Sequence, residues 1–234
     1  MTCLSIIQSV CLRVGMPSPT VAVGSNDQNI KQIVELCNEA GQEISRRYPW
    51  QALTNEATFT TLAAESQGTM SSIAPNYDYI INDTIWNRTL RRPVFGPKTP
   101  QTWQQNKAFA INGPWSNFRV IGDTLKFYPT PSAGQSCYFE YITKNWVSTS
   151  LGSSNSSWTN DADTPLLDGN MLVLDTIWRW KAQKGLEYAE DFNKAERIIT
   201  DLSSRDGSKD WLSLSNTKYD IFPGVVVPAG SWNV

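Results

Sequence analysis

The sequence of 234 residues contains no histidine. That absence excludes the Ser-His-Asp and Cys-His catalytic arrangements, and it removes the commonest general base and the commonest zinc ligand. A phosphate-binding loop is missing as well, because Gly207-Ser208-Lys209 lacks the first glycine and the strand-to-helix context of such loops. Lysine and carboxylate mechanisms remain open, but nothing in the sequence indicates an enzyme or a cofactor.

Long apolar runs and paired cysteines are also missing. No run approaches the roughly 20 apolar residues of a membrane span, and the first residues lack the basic and apolar regions of a signal peptide. We therefore expect an intracellular protein without membrane contact. No Cys-x-x-Cys pair occurs, and buried free thiols are a better interpretation than a disulfide in such a protein. The cysteines are Cys3, Cys11, Cys37 and Cys137.

Metal-binding patterns are weak. Asp161, Asp163 and Asp168 form an acidic cluster, and residues 160–163 resemble the start of a calcium loop. The glycine and the glutamate that such a loop needs further along are absent. Solvation of a loop, with Asp168 capping the helix that follows, is the better interpretation. We expect no metal site.

Two helices are predicted in the first fifty residues. Thr2 fits the N-cap of the first helix, which Gly15 and Pro17 end. Residues 24–27 supply turn and capping residues for the second helix, which Pro49 ends. Each helix carries one apolar stripe and so buries one face. The stripes are Leu4, Ile7, Cys11 and Val14, and then Ile30, Val34, Cys37, Gly41, Ile44 and Tyr48.

A second pair of helices is predicted near the other end of the chain. The first of them follows Asp168 and ends at Gly185, which fits a C-cap glycine. The second carries charged residues opposite its apolar face, and the short turn between them predicts an antiparallel hairpin. The stripes are Met171, Leu174, Trp178, Ala182 and Gly185, and then Tyr188, Phe192, Ala195, Ile199 and Leu202.

Between the two pairs the apolar pattern changes to the period of strands. Residues 118–128 are the clearest hairpin, with Gly122-Asp123 as a two-residue turn. A proline in the first turn predicts a short helix over residues 100–109. Alternation predicts further strands, and small or polar runs predict loops, the serine-rich one being exposed and mobile. The strands are 57–61, 77–86 and 137–147, and the loops are 64–74 and 148–157.

These elements predict an α+β fold. Residues 1–53 and 164–206 form a helical bundle, because packing the two pairs together covers both apolar faces. Residues 54–147 form a β-rich insertion, residues 148–163 a flexible loop and residues 207–234 an extended C-terminal tail, called the C-terminal segment below. The insertion needs its own core, which we assign to Phe59, Ile80, Trp86, Val120, Phe127, Phe139 and Tyr141.

Several blocks of sequence occur in an order that is typical of one family. They are residues 6–15, Pro17-Ser18-Pro19, residues 24–27, Tyr48-Pro49-Trp50-Gln51-Ala52-Leu53, and residues 77–97, 138–147 and 176–192. Together these blocks resemble the bacteriophage head-to-tail adaptor family, the head-completion or tail tubular protein A-like proteins. The family carries no enzymatic signature, so the resemblance implies a structural protein without an active site or cofactor.

The resemblance also implies an assembly and a location. Family copies form a homo-oligomeric ring, usually of twelve, that lies beneath the portal protein and presents a surface to the tail tube or nozzle. Genomic DNA passes through the lumen without sequence-specific contact. The protein would lie in the virion neck after assembly in the host cytoplasm. On this chain, the resemblance implies tail contact by residues 54–147 and portal contact by the C-terminal segment.

The C-terminal segment has no period but is rich in apolar and aromatic residues. Such a segment either folds back on its own chain or docks onto a partner, and the sequence leaves both open. Its largest side chains would act as anchors in a docked state. The candidates for portal contact are Trp211, Leu212, Leu214, Tyr219, Ile221, Phe222 and Trp232.

One local concentration of charge stands out in a chain of net charge −2, namely Arg88, Arg91 and Arg92. The first interpretation is a solvated loop whose arginines pair with internal carboxylates such as Asp83. The second is a patch that contacts a neighbouring subunit or faces a DNA channel. Both stay open at this stage.

Two other functions also stay open. Ten tryptophans and several carboxylates are compatible with a tail-associated carbohydrate-binding or lytic protein, although core packing explains most of the tryptophans better. The other possibility is a different neck or terminator ring protein, which would form a ring of six.

Overall fold

The structure is a computed structural model, and it describes residues 1–109, 113 and 115–207. Within these residues the chain is a mixed α+β protein with six α-helices and three antiparallel sheets, which confirms the predicted class. No helix in the described residues is long and apolar enough to cross a membrane. The helices are α1 (Cys3–Arg13), α2 (Gln28–Arg47), α3 (Met70–Ile73), α4 (Pro100–Ala108), α5 (Gly169–Gln183) and α6 (Ala189–Arg205).

Most of the strands are short. They are β1 (Thr54–Thr60), β2 (Ser66–Thr69), β3 (Tyr77–Ile80), β4 (Trp86–Asn87), β5 (Arg92–Pro93), β6 (Asn117–Ile121), β7 (Thr124–Tyr128), β8 (Ser136–Thr143), β9 (Val147–Ser148), β10 (Ser154–Asn155) and β11 (Thr164–Pro165). The largest sheet has five strands and is built around β8, which pairs on one side with β1 and on the other with β3 and β4. The other two sheets have the orders β2-β7-β6 and β10-β9-β11.

Helix ends follow the capping signals in the sequence. At the start of α1, Thr2 Oγ1 accepts a hydrogen bond from the Ser5 amide, and at the start of α2, Asp27 Oδ1 accepts one from the Asn29 amide. Asp168 caps α5 in the same way, as predicted. Each cap satisfies a donor that the first helical turn leaves unpaired.

The buried face of α1 is wider than the predicted stripe, and the stripe predicted for α5 is wrong beyond Met171. Leu174 and Ala182 are half-buried and Gly185 is exposed, while Leu172, Val173 and Ile177 are buried instead. In α1, Ile6 and Val10 are buried beside Ile7 and Cys11. Helix α5 contacts α1, α2 and α6, so most of its circumference is covered. Trp178, which the stripe places in the core, is only half-buried, whereas Trp180 is buried.

The buried face of α6 is narrower than the predicted stripe. Ala195 and Ile199 are buried, but Tyr188 and Phe192 are 45% and 36% exposed, although both lie on the predicted apolar stripe. The physical reason is that α6 packs mainly on α5, and at its start Tyr188 and Phe192 contact only the half-buried Trp178 ring, at the margin of the core.

Buried apolar side chains form two clusters. The first joins α1, α2, α5 and α6 with residues that follow β8, and it includes Trp146 and Trp158. The second lies within the insertion and contains the predicted core residues Ile80, Phe127, Phe139 and Tyr141, with Phe59 and Val120 packed against it. Trp86 is not part of this cluster, because it is half-exposed and its neighbour Ile85 takes the buried position.

At Gly41 the backbone of α2 lies in close contact with Trp146, in the segment after β8. A Cβ atom at this position would overlap the ring of Trp146. Trp146 is fully buried, its indole nitrogen donates to the Ser156 carbonyl, and its ring packs edge-on against Trp158. Only a glycine lets the ring lie directly on the helix backbone.

Two predicted loops contain structure that the sequence pattern does not indicate. Residues 64–74 form β2 and α3. The small and polar run does not predict β2, because the strand is stabilised by pairing with β7, which is distant in the sequence. The serine-rich residues 148–157 are mainly exposed, as expected, but β10 pairs with β9 there. Trp158, which follows them, is buried in the first cluster. The expected mobility of this stretch stays a prediction.

Candidate interaction surfaces

The predicted arginine patch lies on the β4–β5 hairpin, at one edge of the five-stranded sheet. Arg88 and Arg91 in the connection and Arg92, the first residue of β5, are exposed, and Leu90 at the tip is 47% exposed. Arg91 has a φ of 54°, so the hairpin turns through a left-handed residue. The three arginines are therefore presented together on a single projecting turn.

Their partners differ from the one predicted. The Arg88 guanidinium forms an ion pair of 2.8 Å with Glu56 on β1, not with Asp83, and lies 3.5 Å from the ring centroid of Tyr138. The Arg92 guanidinium lies 5.6 Å from the ring centroid of Trp115. Arg91 makes no ion pair within the described residues. A carboxylate of the same chain thus neutralises Arg88, and all three arginines remain exposed at the sheet edge.

A shallow depression of about 330 Å³ lies beside the hairpin. Glu56 and Glu140 line it and are directly opposite each other in the β1–β8 register. Arg88 also lines it and neutralises Glu56, which lets two carboxylates occupy neighbouring positions on one sheet face.

The displaced carboxyl pKa values in the described residues all point away from acid catalysis. Burial raises the pKa of Glu43, but hydrogen bonds from Arg47 and Arg179 outweigh it, so the net pKa is lowered. The hydrogen bond from Lys107 lowers the pKa of Glu65. A general acid needs a raised pKa to hold its proton near neutral pH.

A larger groove, of about 670 Å³, lies between the insertion and the end of α2. One wall is formed by β3. The other is formed by β6 together with Pro97 and Lys98, whose segment is hydrogen-bonded to Phe118 of β6. Pro49, just after α2, closes one part of it. Its lining is mostly apolar or aromatic, and includes Tyr77, Tyr79, Ile81, Phe118 and Val120.

An exposed aromatic cluster lies where α5 turns into α6. The Trp178 ring packs edge-on against Phe192, with a centroid distance of 5.2 Å, and lies 6.3 Å from the Tyr188 ring. Leu186 beside them is 56% exposed. This cluster sits on the helical side of the molecule, whereas the arginine patch sits on the insertion.

A comparison with protein families identifies the family to which the chain belongs. A family model described as SU10 adaptor protein matches residues 1–213. The chain belongs to this family of phage head-to-tail adaptors. A comparison with curated proteins returned no match.

The adaptor's predicted portal-contact residues lie outside the described residues. They are Trp211, Leu212, Leu214, Tyr219, Ile221, Phe222 and Trp232. The point where the C-terminal segment begins is described, however. Tyr48 Oη donates to the Asp206 carbonyl at 2.9 Å, and the Gln51 amide donates to Asp206 Oδ2 at 2.8 Å. The end of α6, from which this segment leaves, is therefore held beside the end of α2.

Two aspartates of the acidic cluster hold neighbouring loops of the adaptor in place through hydrogen bonds. Asp163 is fully buried, and its Oδ2 accepts hydrogen bonds from both the amide and the hydroxyl of Thr159 and from the Asn160 amide. The Asp161 carboxylate accepts from the amides of Ala22 and Val23. The interpretation as a solvated loop is wrong for Asp163, while the cap assigned to Asp168 is confirmed.

The cysteines of the adaptor are free and buried, as predicted. Burial raises the pKa of the Cys37 and Cys137 thiols to about 11, and it also raises those of Cys3 and Cys11. Thiols that stay protonated at neutral pH are poor nucleophiles and poor metal ligands. Within the described residues no group of three or more cysteine, aspartate or glutamate side chains is placed to hold a metal ion.

Sequence reasoning missed two of these surfaces. The groove is formed by strands far apart in the chain, so no local pattern indicates it. The aromatic cluster had a signal, because Tyr188 and Phe192 are four residues apart on a helix, but that spacing is equally typical of a buried face.

Proposed function

We propose that the chain is a structural protein of the virion neck that assembles into a ring, of twelve copies, between the portal and the tail nozzle. In that position the ring extends the channel through which genomic DNA passes, without sequence-specific contact. The observation that carries the proposal is the family match over residues 1–213, which includes both the helical and the β-rich parts of the chain.

The two buried clusters support a division of labour within the subunit. We assign residues 1–53 and 164–206 to a helical bundle that forms the body of the ring, and residues 54–147 to an insertion that contacts the tail. The first cluster draws mainly on the former residues and the second on the latter. Portal contact is assigned to the C-terminal segment.

A closed ring needs two different surfaces on each subunit, because its interfaces are head-to-tail. The described residues offer separate candidates for such surfaces. The arginine patch lies on the β4–β5 hairpin, and the aromatic cluster of Trp178, Tyr188 and Phe192 lies at the α5–α6 turn. We propose that these surfaces take part in contacts between subunits or along the channel.

The native mass of the purified chain, alone and mixed with the portal ring of the same phage, tests the proposal. We expect a subunit that joins the portal in a fixed complex of twelve copies, measured by native mass spectrometry. A matched chain that ends at Gly207 should lose the portal complex while keeping its circular dichroism spectrum.

Other outcomes would point elsewhere. A ring of six copies would indicate a terminator or another neck protein. A chain that stays monomeric and ignores the portal would contradict the adaptor proposal, and binding to cell-wall sugars would then be measured. The carbohydrate alternative has little support from the described residues, because none of the eight tryptophans they contain is fully exposed for stacking on a sugar ring.

A further inference from the structure

The groove between β3 and β6 is basic as well as apolar. The described residues that line it include the half-buried Lys98 and Arg119 but no carboxylate, and neither cation forms an ion pair within the described part of the chain. Arg119 lies opposite Lys126 in the β6–β7 register, and Lys126 shares Glu65 with Lys107. Four basic side chains therefore lie in or beside the groove, with one carboxylate among them.

The rest of the lining calls for apolar contacts. Most of these side chains are aliphatic or aromatic, and several are only half-buried, among them Tyr77, Tyr79, Ile81 and Val120. A partner that fits brings apolar side chains to cover this lining and negative charge to meet the cations. The aliphatic residues between the tyrosines favour a protein surface over the sugars and bases of a nucleic acid.

The turn between α5 and α6 has the matching chemistry. Residues 185–193, called the acidic turn below, contain three carboxylates and no basic residue. Glu187 forms no ion pair within the described residues, while Glu190 and Asp191 pair with lysines outside the turn. The exposed Leu186 and the aromatic cluster lie beside these carboxylates. The acidic turn thus presents apolar side chains flanked by negative charge.

In one subunit these two surfaces lie at opposite ends of α2. Lys184, just before the acidic turn, donates a hydrogen bond to Gln32 near the start of α2, whereas Pro49, just after the end of α2, lines the groove. About 22 Å of helix separate Gln32 from Arg47 at 1.5 Å per residue. The acidic turn therefore does not reach the groove of its own subunit. Two separated, complementary surfaces are what a head-to-tail contact between copies requires.

We propose that the acidic turn of one copy docks into the groove between β3 and β6 of the next copy. In this contact Tyr188 and Phe192 cover the half-buried side chains of the groove, and Glu187 pairs with Lys98 and Arg119. This assignment rests on the proposed ring, and it names both faces of the contact through which the ring closes.

Chemical cross-linking of the full chain with a short bis-maleimide tests the contact, both in the free protein at high concentration and on the portal ring. The native thiols are buried, so the parent chain should give no product. Glu187→Cys with Arg119→Cys in one chain should give a ladder of covalent dimers, trimers and larger products on a denaturing gel. A mixture of the two single variants should stop at dimers, because each copy then carries one reactive face.

Glu187→Cys with Thr58→Cys is the matched control. Thr58 is exposed on β1, on the other side of β8 from β3, so this pair should give no ladder. A ladder under either condition for the first pair alone supports the contact. Equal products from both pairs, or none from either, overturn it. If DNA shields the thiol at position 119 and no ladder forms, the groove belongs to nucleic acid and the contact is also overturned.

Exchanging the charges tests the pairing itself. Arg119→Glu and Glu187→Arg should each raise by at least ~10-fold the concentration that fills the portal ring, measured by native mass spectrometry. Their combination restores opposite charges, so the double variant should regain most of the loss. Arg13→Glu, on an exposed residue of α1 that lines neither surface, should have no effect. A double variant no better than the weaker single variant overturns the pairing.

The contact and the proposed function fail in different ways. A parent chain that ignores the portal contradicts the proposed function, while the ladder of the free protein still decides the contact. A parent chain that fills the portal ring without giving a ladder in the cysteine variant contradicts the contact alone.

Discussion

At the scale of single residues, the molecule depends on a few positions where one atom more would not fit. Gly41 is the clearest of them, because the ring of Trp146 occupies the space where a side chain would begin. The contact joins α2 to the segment after β8 and so lies inside the first cluster. A helical glycine is otherwise unfavourable, which makes its close contact the reason for its presence.

Gly41→Ala should therefore destabilise the protein, although alanine is the better helix former. We expect a loss of about 1–3 kcal/mol in the free energy of unfolding, since overpacking outweighs the gain of about 1 kcal/mol in helix propensity. Urea unfolding measures the difference. Gly24→Ala is the matched control, because its new Cβ would lie 3.6 Å from the Val21 side chain, an ordinary contact.

A double variant tests the cause. Trp146→Phe in the Gly41→Ala background should recover part of the loss, because a smaller ring leaves room for the methyl group. Gly41→Ala with the stability of the parent would contradict the packing account.

A buried ion network is the other feature at this scale. Asp175 is fully buried, accepts from Trp178 Nε1 and pairs with Arg179 at 2.8 Å. Arg179 also pairs with Glu39 and Glu43 of α2. Helical spacing predicts the Asp175–Arg179 contact, but the two glutamates come from a distant helix. Sequence alone therefore does not indicate that this charged pair is buried between α2 and α5.

At the scale of elements, residues 159–163 connect the start of α1 to the loop before α2. The Cys3 amide donates to the Asp163 carbonyl, and the Leu4 amide donates to that of Asp161. The Asp163 side chain holds this turn in place. Burial raises its pKa, but the hydrogen bonds from Thr159, Asn160 and Ser150 outweigh burial, so the net pKa lies below that of an ordinary aspartate.

Asp163→Asn should weaken the fold in a pH-dependent way. The lowered pKa means that the carboxylate stabilises the folded state above the unfolded pKa of about 3.9 and loses that effect as the pH falls through the folded value. We expect a loss of about 1–3 kcal/mol at pH 7, and a smaller difference from the parent below about pH 4. Urea unfolding at both pH values measures it.

Asp83→Asn provides the comparison for that experiment. Asp83 is exposed with a φ of 62°, which asparagine tolerates well, and its replacement should change little at either pH. A constant difference between parent and Asp163→Asn across the pH range would be inconsistent with the carboxylate account.

Elements whose signals are local could be predicted from the sequence. The caps at Thr2 and Asp168 and the Gly122-Asp123 turn lie where the pattern places them, because each depends on two to four consecutive residues. The strands β2 and β10 could not be predicted, since their stability comes from partners across the sheet. Strand pairing is a property of context more than of composition.

The candidate surfaces, too, could be predicted only where the signal lies in consecutive residues. The exposed arginines were visible as a cluster in the sequence, and the structure places them on one hairpin. Their partners, Glu56 and Trp115, come from elsewhere in the chain and were not predictable. The groove depends on two strands that are separated by about forty residues, so only the three-dimensional structure reveals it.

At the scale of the whole molecule, the arginine patch is the feature whose role the proposed ring defines. Arg91→Glu with Arg92→Glu should lower ring assembly or DNA retention by at least ~10-fold at low salt, because a reversed patch repels what it formerly attracted. Assembly on the portal is measured by native mass spectrometry, and retention by the fraction of particles that keep their genome.

Arg197→Glu is the matched control for charge reversal. Arg197 is exposed on α6, away from the β4–β5 hairpin, so its replacement should leave both readouts unchanged. Arg91→Glu alone separates the effect of charge from the loss of the Arg92 contact with Trp115. If assembly and retention survive reversal of both arginines, the patch is a solvated loop.

The long pairing of β1 with β8 has a mechanical consequence. Both strands run between the two buried clusters, β1 leaving the helical side at Thr54 and β8 returning to it at Ile142, and they are paired along the whole of β1. A pull that separates the clusters stretches two covalent backbones in parallel, instead of opening hydrogen bonds one at a time. Bending or twisting strains the whole ladder. The joint behaves as a short beam that transmits load and does not act as a hinge.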